Sequence, residues 1–264
     1  MWVQQYSGLV SLPNSSPCAE DFYSTLLPQG SSFNGFRHGD SVSLAKAHDT
    51  DIQELQSRTV NGQQVVDIQG EDQKWAEKVD MLYFCGHGDP SQLYFGEGNP
   101  FDHDDVAHYD EVKLGDQALK WLVLDACRVL DNAPNGFGGW TIFNRWAKAF
   151  KPGGGLRYIL GFHTTCKNDN FRGRYFAEYL NPIPGGSTDG ELIRIAWQYA
   201  CEETEPWASQ WALLRVGDNT FAIANDKWTD TNLQDVPTIP SGRTQKFTYQ
   251  KRIGPEILIP EVVV

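Results

Sequence analysis

Three short, almost uninterrupted runs of apolar residues occupy the middle of this chain. They lie at residues 80–85 (DMLYFC), 119–127 (LKWLVLDAC) and 156–162 (LRYILGF). Continuous apolar runs of this length are typical of strands buried on both faces, as in parallel sheets. Between the second and third runs, residues 140–150 carry apolar side chains at helical spacing and end at a glycine-rich stop. We therefore predict an α/β fold whose central sheet is mainly parallel, with helices on both faces.

The rest of the chain supplies further elements around these strands. Helices are predicted at residues 18–27, from near Asn168 to 180, and from near Asp189 to 200, since both named residues favour helix N-caps. Further strands are predicted at residues 2–10, 63–69, 211–216, 221–225, 246–251 and 256–264. The strand-rich C-terminal segment is expected to extend the sheet edge or to form a flap.

The chain shows no internal repeat and no linker. We therefore predict a single domain over residues 1–264, with an α/β core at 1–209 and an extra C-terminal β-rich extension at 210–264.

The charge balance and the cysteines restrict partners and location. Asp and Glu number 34 against 22 Lys and Arg, a formal net charge of −12. Without a basic stripe, nucleic acid and anionic membranes are poor partners. The five cysteines include no C-x-x-C pair, and the N-terminal residues lack the pattern of a signal peptide. No apolar run approaches the roughly 20 residues that cross a bilayer. These features favour a cytoplasmic protein.

Two of the three buried runs end in reactive side chains. The first ends at Gly86-His87-Gly88 and the second ends at Cys127. In an open parallel sheet, binding sites form at the carboxyl ends of the strands. A thiol needs a base to become a thiolate near neutral pH, and histidine is the usual partner. The backbone N–H groups of Gly88 and Cys127 could stabilise a tetrahedral oxyanion. The pattern therefore predicts an acyl-transfer site.

Each of these residues also has a structural interpretation. Cysteine is among the most buried residue types, and one that ends an apolar strand often belongs to the core. A histidine between two glycines can equally serve a turn. The functional hypothesis depends on the two occurring together.

Their spacing is similar to that of a known group of enzymes. "YFCGHG", followed forty residues later by "LVLDACR", resembles the caspase–legumain–gingipain clan of cysteine peptidases, which includes metacaspases. More narrowly, "KWAEKVDMLYFCGHG", "ALKWLVLDAC", "LGFHTT" and "GRYFAEYL" resemble a poorly characterised, mainly bacterial family of domains of unknown function in that clan. The similarity extends over roughly residues 1–215.

The resemblance implies a caspase-like fold and assigns roles to matching residues. His87 would be the general base and acid, Cys127 the nucleophile, and the N–H groups of Gly88 and Cys127 the oxyanion hole. Asp125 would help to line the pocket for the residue before the scissile bond, which implies a preference for Arg, Lys or Asn. The alternative is that Asp125 caps the following turn. The chain lacks the caspase motif Q-A-C-R-G and an obvious processing loop, so autoproteolytic activation is not expected.

Two further features have weaker functional interpretations. His163 ends the third buried run and would line a substrate pocket or serve a structural hydrogen bond. The acidic residues 102–111 could bind Ca²⁺, but they lack EF-hand spacing, which favours a solvated loop at the rim of the cleft. The chain contains no Walker A, H-E-x-x-H or Rossmann G-x-G-x-x-G motif, so we expect no cofactor.

These inferences lead to one favoured function and two alternatives. The favoured function is a cysteine peptidase that cleaves peptide or protein substrates through a thioester formed on Cys127. A peptide ligase or cyclase would use the same acyl-enzyme with an amine as acceptor. A non-catalytic binding module would keep the fold and the cleft without turnover.

Overall fold

The computed structural model describes residues 12–26, 52–53, 55–73, 76–95, 106–115, 117–132, 142–146, 149–150, 155–181, 190–216, 226–227, 244–252 and 257–263. The α-helices in these ranges are α1 (Ser15–Leu26), α2 (Ile142–Trp146), α3 (Arg172–Leu180) and α4 (Ile193–Thr204). The strands are β1 (Leu55–Val60), β2 (Gln63–Gln69), β3 (Met81–Cys85), β4 (His87–Gly88), β5 (Gln92–Tyr94), β6 (Val106–His108), β7 (Trp121–Asp125), β8 (Tyr158–Phe162), β9 (Trp211–Val216), β10 (Thr244–Lys251) and β11 (Ile257–Val263). Among the described residues, no helix is long and apolar enough to cross a membrane.

The main sheet has six strands in the order β11-β10-β9-β8-β7-β3. The three predicted buried runs form β3, β7 and β8, which are parallel neighbours. The strands β9, β10 and β11 add antiparallel pairs on the other side of β8. The α/β class is therefore confirmed. The described sheet is mixed, however, and not mainly parallel as predicted.

The chain path explains why the parallel order stops at β8. Two helices, α3 and α4, lie between β8 and β9. The chain therefore runs along the sheet once in each direction and returns to the end of the sheet at which β8 stopped. A strand that starts there must run antiparallel to β8. The short connection between β10 and β11 also suits an antiparallel pair, because parallel neighbours need a long crossover. The predicted C-terminal extension therefore continues the sheet edge.

One face of the sheet is covered by α1, α3 and α4. The Tyr83 ring stacks on Phe22 of α1 with centroids 4.6 Å apart, and Phe22 in turn stacks on Phe176 of α3 at 5.7 Å. Trp197 of α4 meets Phe162 edge-on at 5.6 Å. All five side chains are buried. Their burial fixes the helices against the strands that carry the candidate site.

Two predicted helix starts are wrong. α3 begins at Arg172, because the Asn168 side chain is used elsewhere: its Oδ1 accepts from the Asn14 N–H (2.8 Å) and its Nδ2 donates to Ser15 Oγ (3.0 Å). α4 begins at Ile193, whose N–H donates to the Asp226 carbonyl (3.0 Å). The predicted strands at residues 2–10 and 221–225 lie outside the described residues.

Candidate active site

The register of β3 and β7 brings the two predicted catalytic residues to the same edge of the sheet. Cys85 pairs with Asp125 at the last position of the two parallel strands. His87 and Cys127 each lie two residues beyond the end of β3 and β7, respectively. The Gly86 N–H donates to the Asp125 carbonyl at 3.2 Å, which ties the start of the Gly-His-Gly turn to the end of β7.

Gly88 lets the histidine turn pack directly on the cysteine turn. A Cβ at this position would lie 2.7 Å from Val129 Cγ1, 3.0 Å from Ala126 Cβ and 3.3 Å from the Cys127 carbonyl oxygen. Contacts below 3 Å require one of the segments to shift, so only glycine allows this approach. The glycine after the histidine is thus explained by close packing of the two candidate site segments.

A buried arginine also holds these two segments together. Arg145 of α2 donates one guanidinium N–H to the carbonyl of Pro90, beyond the histidine turn, and another to the carbonyl of Asp131, beyond the cysteine turn. Its guanidinium also lies 6.0 Å from the Tyr109 ring centroid. Because α2 supplies a fixed donor to both segments, Arg145 sets their separation.

The thiol of Cys127 is half-buried and has Cys166 as its partner. The two Sγ atoms are 3.6 Å apart, and the Cys166 N–H donates to the Cys127 Sγ at 3.3 Å. Hydrogen bonding by the Cys166 thiol, followed by that of its backbone amide, outweighs burial and lowers the pKa of Cys127 to about 7. The same contact and burial raise the pKa of Cys166 well above its ordinary value. Near neutral pH, about half of Cys127 is therefore thiolate, and in that form Cys166 is the hydrogen-bond donor.

Cys166 was not identified as a site residue from the sequence. It lies in the irregular segment that follows β8, three residues after His163. Because β8 is the parallel neighbour of β7, residues beyond its carboxyl end lie beside Cys127. His87 and Cys127 were selected because binding sites form at the carboxyl ends of parallel strands. The same rule would have selected Cys166 if it had been applied beyond His163, the first polar residue after β8.

Among the residues that the structure describes, the backbone around Cys127 leaves one N–H group without an acceptor. The Ala126 N–H donates to the Leu124 carbonyl (2.9 Å) and the Arg128 N–H to the Thr164 carbonyl (3.0 Å). Between them, the Cys127 N–H has no acceptor among the described residues. Arg128 has a φ of +57°, which is uncommon for a residue other than glycine. This backbone conformation turns the chain sharply after the cysteine. A backbone donor beside the thiolate is what an oxyanion hole requires.

Asp125 lies beneath the candidate site and not in a substrate pocket. It is only 4% exposed, and its carboxylate accepts from Arg172 and from the Tyr83 hydroxyl at 2.9 Å. The prediction assumed that Asp125 and Cys127 point to the same side of one strand. β7 ends at Asp125, so the chain turns and the alternation no longer holds. Neither the proposed pocket role nor a side-chain cap of the following turn describes this carboxylate.

Arg172 joins Asp125 to the segment that carries Cys166. Its guanidinium donates to the carboxylates of Asp125 and Glu205 and to the Lys167 carbonyl (3.2 Å). Glu205 also accepts from the Lys167 N–H at 2.8 Å. A buried charge network therefore fixes the residue that follows Cys166, and with it the donors to the Cys127 thiolate.

A group of metal-binding residue types lies in the same region. Donor atoms of Cys18, Cys85 and Asp125 are all within 4.8 Å of one another. The Arg172 cation already pairs with the Asp125 carboxylate, and the contact with Cys18, followed by burial, raises the pKa of Cys85 well above its ordinary value. A protonated thiol next to an arginine is a poor ligand set for a cation.

His163 is held in a polar cluster at the end of β8. Its Nδ1 lies 3.3 Å from the Asn132 N–H nitrogen and 3.2 Å from Tyr249 Oη, and its Nε2 lies 3.3 Å from Lys251 Nζ. Burial, and next the Lys251 charge, lowers the pKa of His163. These contacts to β10 and to the cysteine turn favour the structural alternative over a substrate pocket.

The acidic segment is attached to the histidine turn. Residues 102–105 lie outside the described residues, but β6 pairs with β5, and β5 pairs with β4 at His87. Glu111 accepts from Gln53 Nε2 (2.9 Å) and from the His108 N–H (2.9 Å), so this carboxylate serves the loop itself. The described part of the segment supplies no member of a metal-ligand group. Its position agrees with a rim beside the candidate site.

The pH dependence of alkylation tests the role of Cys166. In the wild type we expect iodoacetamide to label Cys127 with a midpoint at the pKa of about 7, because only the thiolate reacts. Cys166→Ala removes the donor thiol and keeps the backbone donor, so the midpoint should rise toward that of an ordinary thiol. Peptide-resolved mass spectrometry across a pH series measures both midpoints.

Cys166→Ser is the matched control for this measurement. Its hydroxyl keeps a donor at the same position, so the midpoint should rise less than in Cys166→Ala. Equal midpoints in the wild type and Cys166→Ala would show that the thiolate is stabilised by other groups.

Comparison with known proteins gives a family but no activity. The profile of a family described as a domain of unknown function, DUF6345, matches residues 1–251 of the chain. No curated protein and no solved structure matches it.

Proposed function

The chain belongs to the DUF6345 family of domains of unknown function, and we propose that it is a cysteine peptidase-like enzyme that cleaves peptide amide bonds. One observation carries the proposal. A cysteine with a pKa lowered to about 7 follows one parallel strand, and its turn packs against the Gly-His-Gly turn of the neighbouring strand. A thiolate beside a histidine is the arrangement that amide cleavage by covalent catalysis needs.

The reaction would proceed through a thioester. The Cys127 thiolate attacks the carbonyl carbon of the scissile amide, and the Cys127 N–H, together with that of Gly88, stabilises the oxyanion. His87, which holds the proton taken from the Cys127 thiol, protonates the leaving amine as the C–N bond breaks. It then takes a proton from water, which attacks the thioester and releases the carboxylic acid and the thiolate.

The fold proposed for this chemistry is a caspase-like domain. The support is the sequence resemblance of the His-Gly and Asp-Ala-Cys motifs, together with their location after two adjacent parallel strands. The antiparallel strands β9 to β11 would then be an extension of the parallel core. A preference for Arg, Lys or Asn before the cut is not part of the proposal, because it depended on an accessible Asp125 carboxylate.

A peptide-library digest tests the function directly. The reduced protein is incubated with peptides that vary around a central bond, and new termini are identified by mass spectrometry. We expect cleavage by the untreated protein and none after Cys127 has been blocked with iodoacetamide at neutral pH. Cleavage that survives the block would place the activity elsewhere.

An added amine separates hydrolysis from ligation in the same experiment. A hydrolase releases mainly free carboxylic acids when a peptide amine is present, whereas a ligase or cyclase transfers the acyl group to the amine. If the unblocked protein, with Cys127 reacting as a thiolate, gives neither product across the library, the binding-module alternative replaces the proposal.

A further inference from the structure

The pair Cys127 and Cys166 has a second possible chemistry. Their Sγ atoms are 3.6 Å apart, and both residues are partly exposed. The other cysteines, Cys18, Cys85 and Cys201, are buried. We propose that Cys127 and Cys166 form a reversible disulfide when the protein meets hydrogen peroxide, and that this bond is an oxidation switch on the candidate site.

The geometry requires only a local movement. A disulfide has an S–S distance of about 2.05 Å, so the sulfurs must approach by about 1.5 Å. Cys166 lies in a segment without helix or strand, and Cys127 lies in a turn beyond β7. The Cys166 N–H already directs the Cys127 sulfur toward this segment at 3.3 Å. Neither main strand has to shift for the bond to form.

The chemistry balances with hydrogen peroxide as the only oxidant. The Cys127 thiolate attacks one peroxide oxygen, an S–O bond forms, the O–O bond breaks, and the departing hydroxide takes a proton to become water. The Cys166 sulfur then attacks the resulting sulfenic acid; an S–S bond forms, the S–O bond breaks, and hydroxide leaves with the Cys166 thiol proton as a second water. Two thiols are oxidised and one peroxide is reduced.

The two cysteines differ in the way that these steps require. Cys127 reacts first because its pKa is lowered, whereas the raised pKa of Cys166 keeps that thiol protonated until the sulfenic acid has formed. A neighbouring thiol that captures a sulfenic acid protects it from irreversible oxidation to sulfinic acid. Cys166 would therefore both stabilise the thiolate and resolve its oxidation product.

The bond itself does not depend on the proposed peptidase function. If Cys127 is the nucleophile of amide cleavage, the disulfide blocks it, and reduction restores it. If the protein proves to have no peptidase activity, disulfide formation can still be read from the peptides alone. Failure of one proposal therefore leaves the other open to its own test.

Peroxide treatment followed by peptide mapping tests the inference. The reduced wild-type protein is exposed to hydrogen peroxide, remaining thiols are blocked with iodoacetamide, and the digest is analysed by mass spectrometry. We expect one cross-linked peptide pair joining Cys127 to Cys166, with loss of labelling at both, and full recovery of labelling after dithiothreitol.

Cys166→Ser gives the matched comparison, because it removes the resolving sulfur and keeps a small polar side chain. In this variant we expect Cys127 to proceed to sulfinic acid, which dithiothreitol does not reverse. The inference is overturned if wild-type Cys127 also ends as sulfinic acid without a cross-link, or if peroxide joins Cys18 to Cys85 instead.

Discussion

Arg172→Met should lower the free energy of unfolding by about 3–5 kcal/mol, the cost typical of removing one partner from a buried ion pair. Arg172 is fully buried at the start of α3. Its guanidinium donates to the carboxylates of Asp125 and Glu205 and to the Thr204 hydroxyl (3.0 Å). Methionine fills similar space but leaves two buried carboxylates without their cation. Urea unfolding followed by tryptophan fluorescence measures the difference.

The destabilisation should be smaller at mildly acidic pH than above neutral pH. Burial raises the pKa of the Glu205 carboxyl, and the Arg172 charge opposes that rise. Without Arg172 the folded-state pKa moves further above the unfolded value. When the pKa of a carboxyl group is higher in the folded state than in the unfolded state, the fold keeps its full stability below the unfolded-state pKa. Stability is then lost as the pH rises through the folded-state pKa. Repeating the urea titrations across pH gives this dependence.

Arg174→Met is the matched control, with the same substitution two residues along the same helix. Arg174 is exposed and pairs with Glu178 on the helix surface, with Nε and Oε1 2.7 Å apart. Surface pairs of this kind contribute little to stability. Equal losses in both variants would attribute the effect to methionine in α3 and not to the buried ion pair.

The central strands could be predicted because their almost wholly apolar composition indicates that they are buried. β3, β7 and β8 are runs of apolar residues that only a sheet covered on both faces accommodates. Strand direction on the far side of β8 could not be predicted in this way, since β9 is also buried along its full length. The sequence of a continuously apolar strand does not indicate whether the neighbouring strand runs parallel or antiparallel to it.

The β1–β2 hairpin illustrates a local signal that was available and not used. Only β2 was predicted, at residues 63–69, which agrees with its bounds. Asn61 and Gly62, which join the two strands, have φ values of 51° and 81°. An Asn-Gly pair with positive φ at both positions is the favoured two-residue hairpin turn. This dipeptide would have predicted β1 as well.

The candidate site was predictable only where it lies close to a strand end. His87 and Cys127 follow β3 and β7 directly, so the strand-end rule found them. Arg172 begins α3 and Glu205 immediately follows α4, both distant in sequence from Asp125, and the local sequence at neither position shows that they meet it. The error at Asp125 has the same origin, because its long-range partner decides that the carboxylate is buried.

Buried arginines hold the site segments from two directions. Arg145 binds the carbonyls beyond the histidine and cysteine turns, and Arg172 fixes the segment that carries Cys166. The acceptors are backbone carbonyls for Arg145, and a backbone carbonyl together with two buried carboxylates for Arg172. The position of Cys127 between His87 and Cys166 thus depends on helices that themselves carry no nucleophile.

His87→Ala should reduce kcat/KM for peptide hydrolysis by about 10²–10⁴-fold, the usual contribution of a general acid and base. Cys127→Ala should reduce it to the uncatalysed background, because no thioester can form. His108→Ala is the matched control, since this histidine lies in β6 and the hydrogen bond at that position comes from its backbone. Rates with a cleaved library peptide measure all three variants.

Alkylation of Cys127 in the same variants separates two roles for His87. The pKa of Cys127 is lowered by Cys166, so in His87→Ala the labelling midpoint should stay at about 7 while turnover falls. That combination identifies His87 as the proton donor to the leaving amine and the base for water. If labelling and turnover fall together, His87 generates the thiolate and Cys166 does not. Full turnover in Cys127→Ala would mean that the nucleophile is another residue, and that the lowered pKa of Cys127 serves only the oxidation chemistry it shares with Cys166.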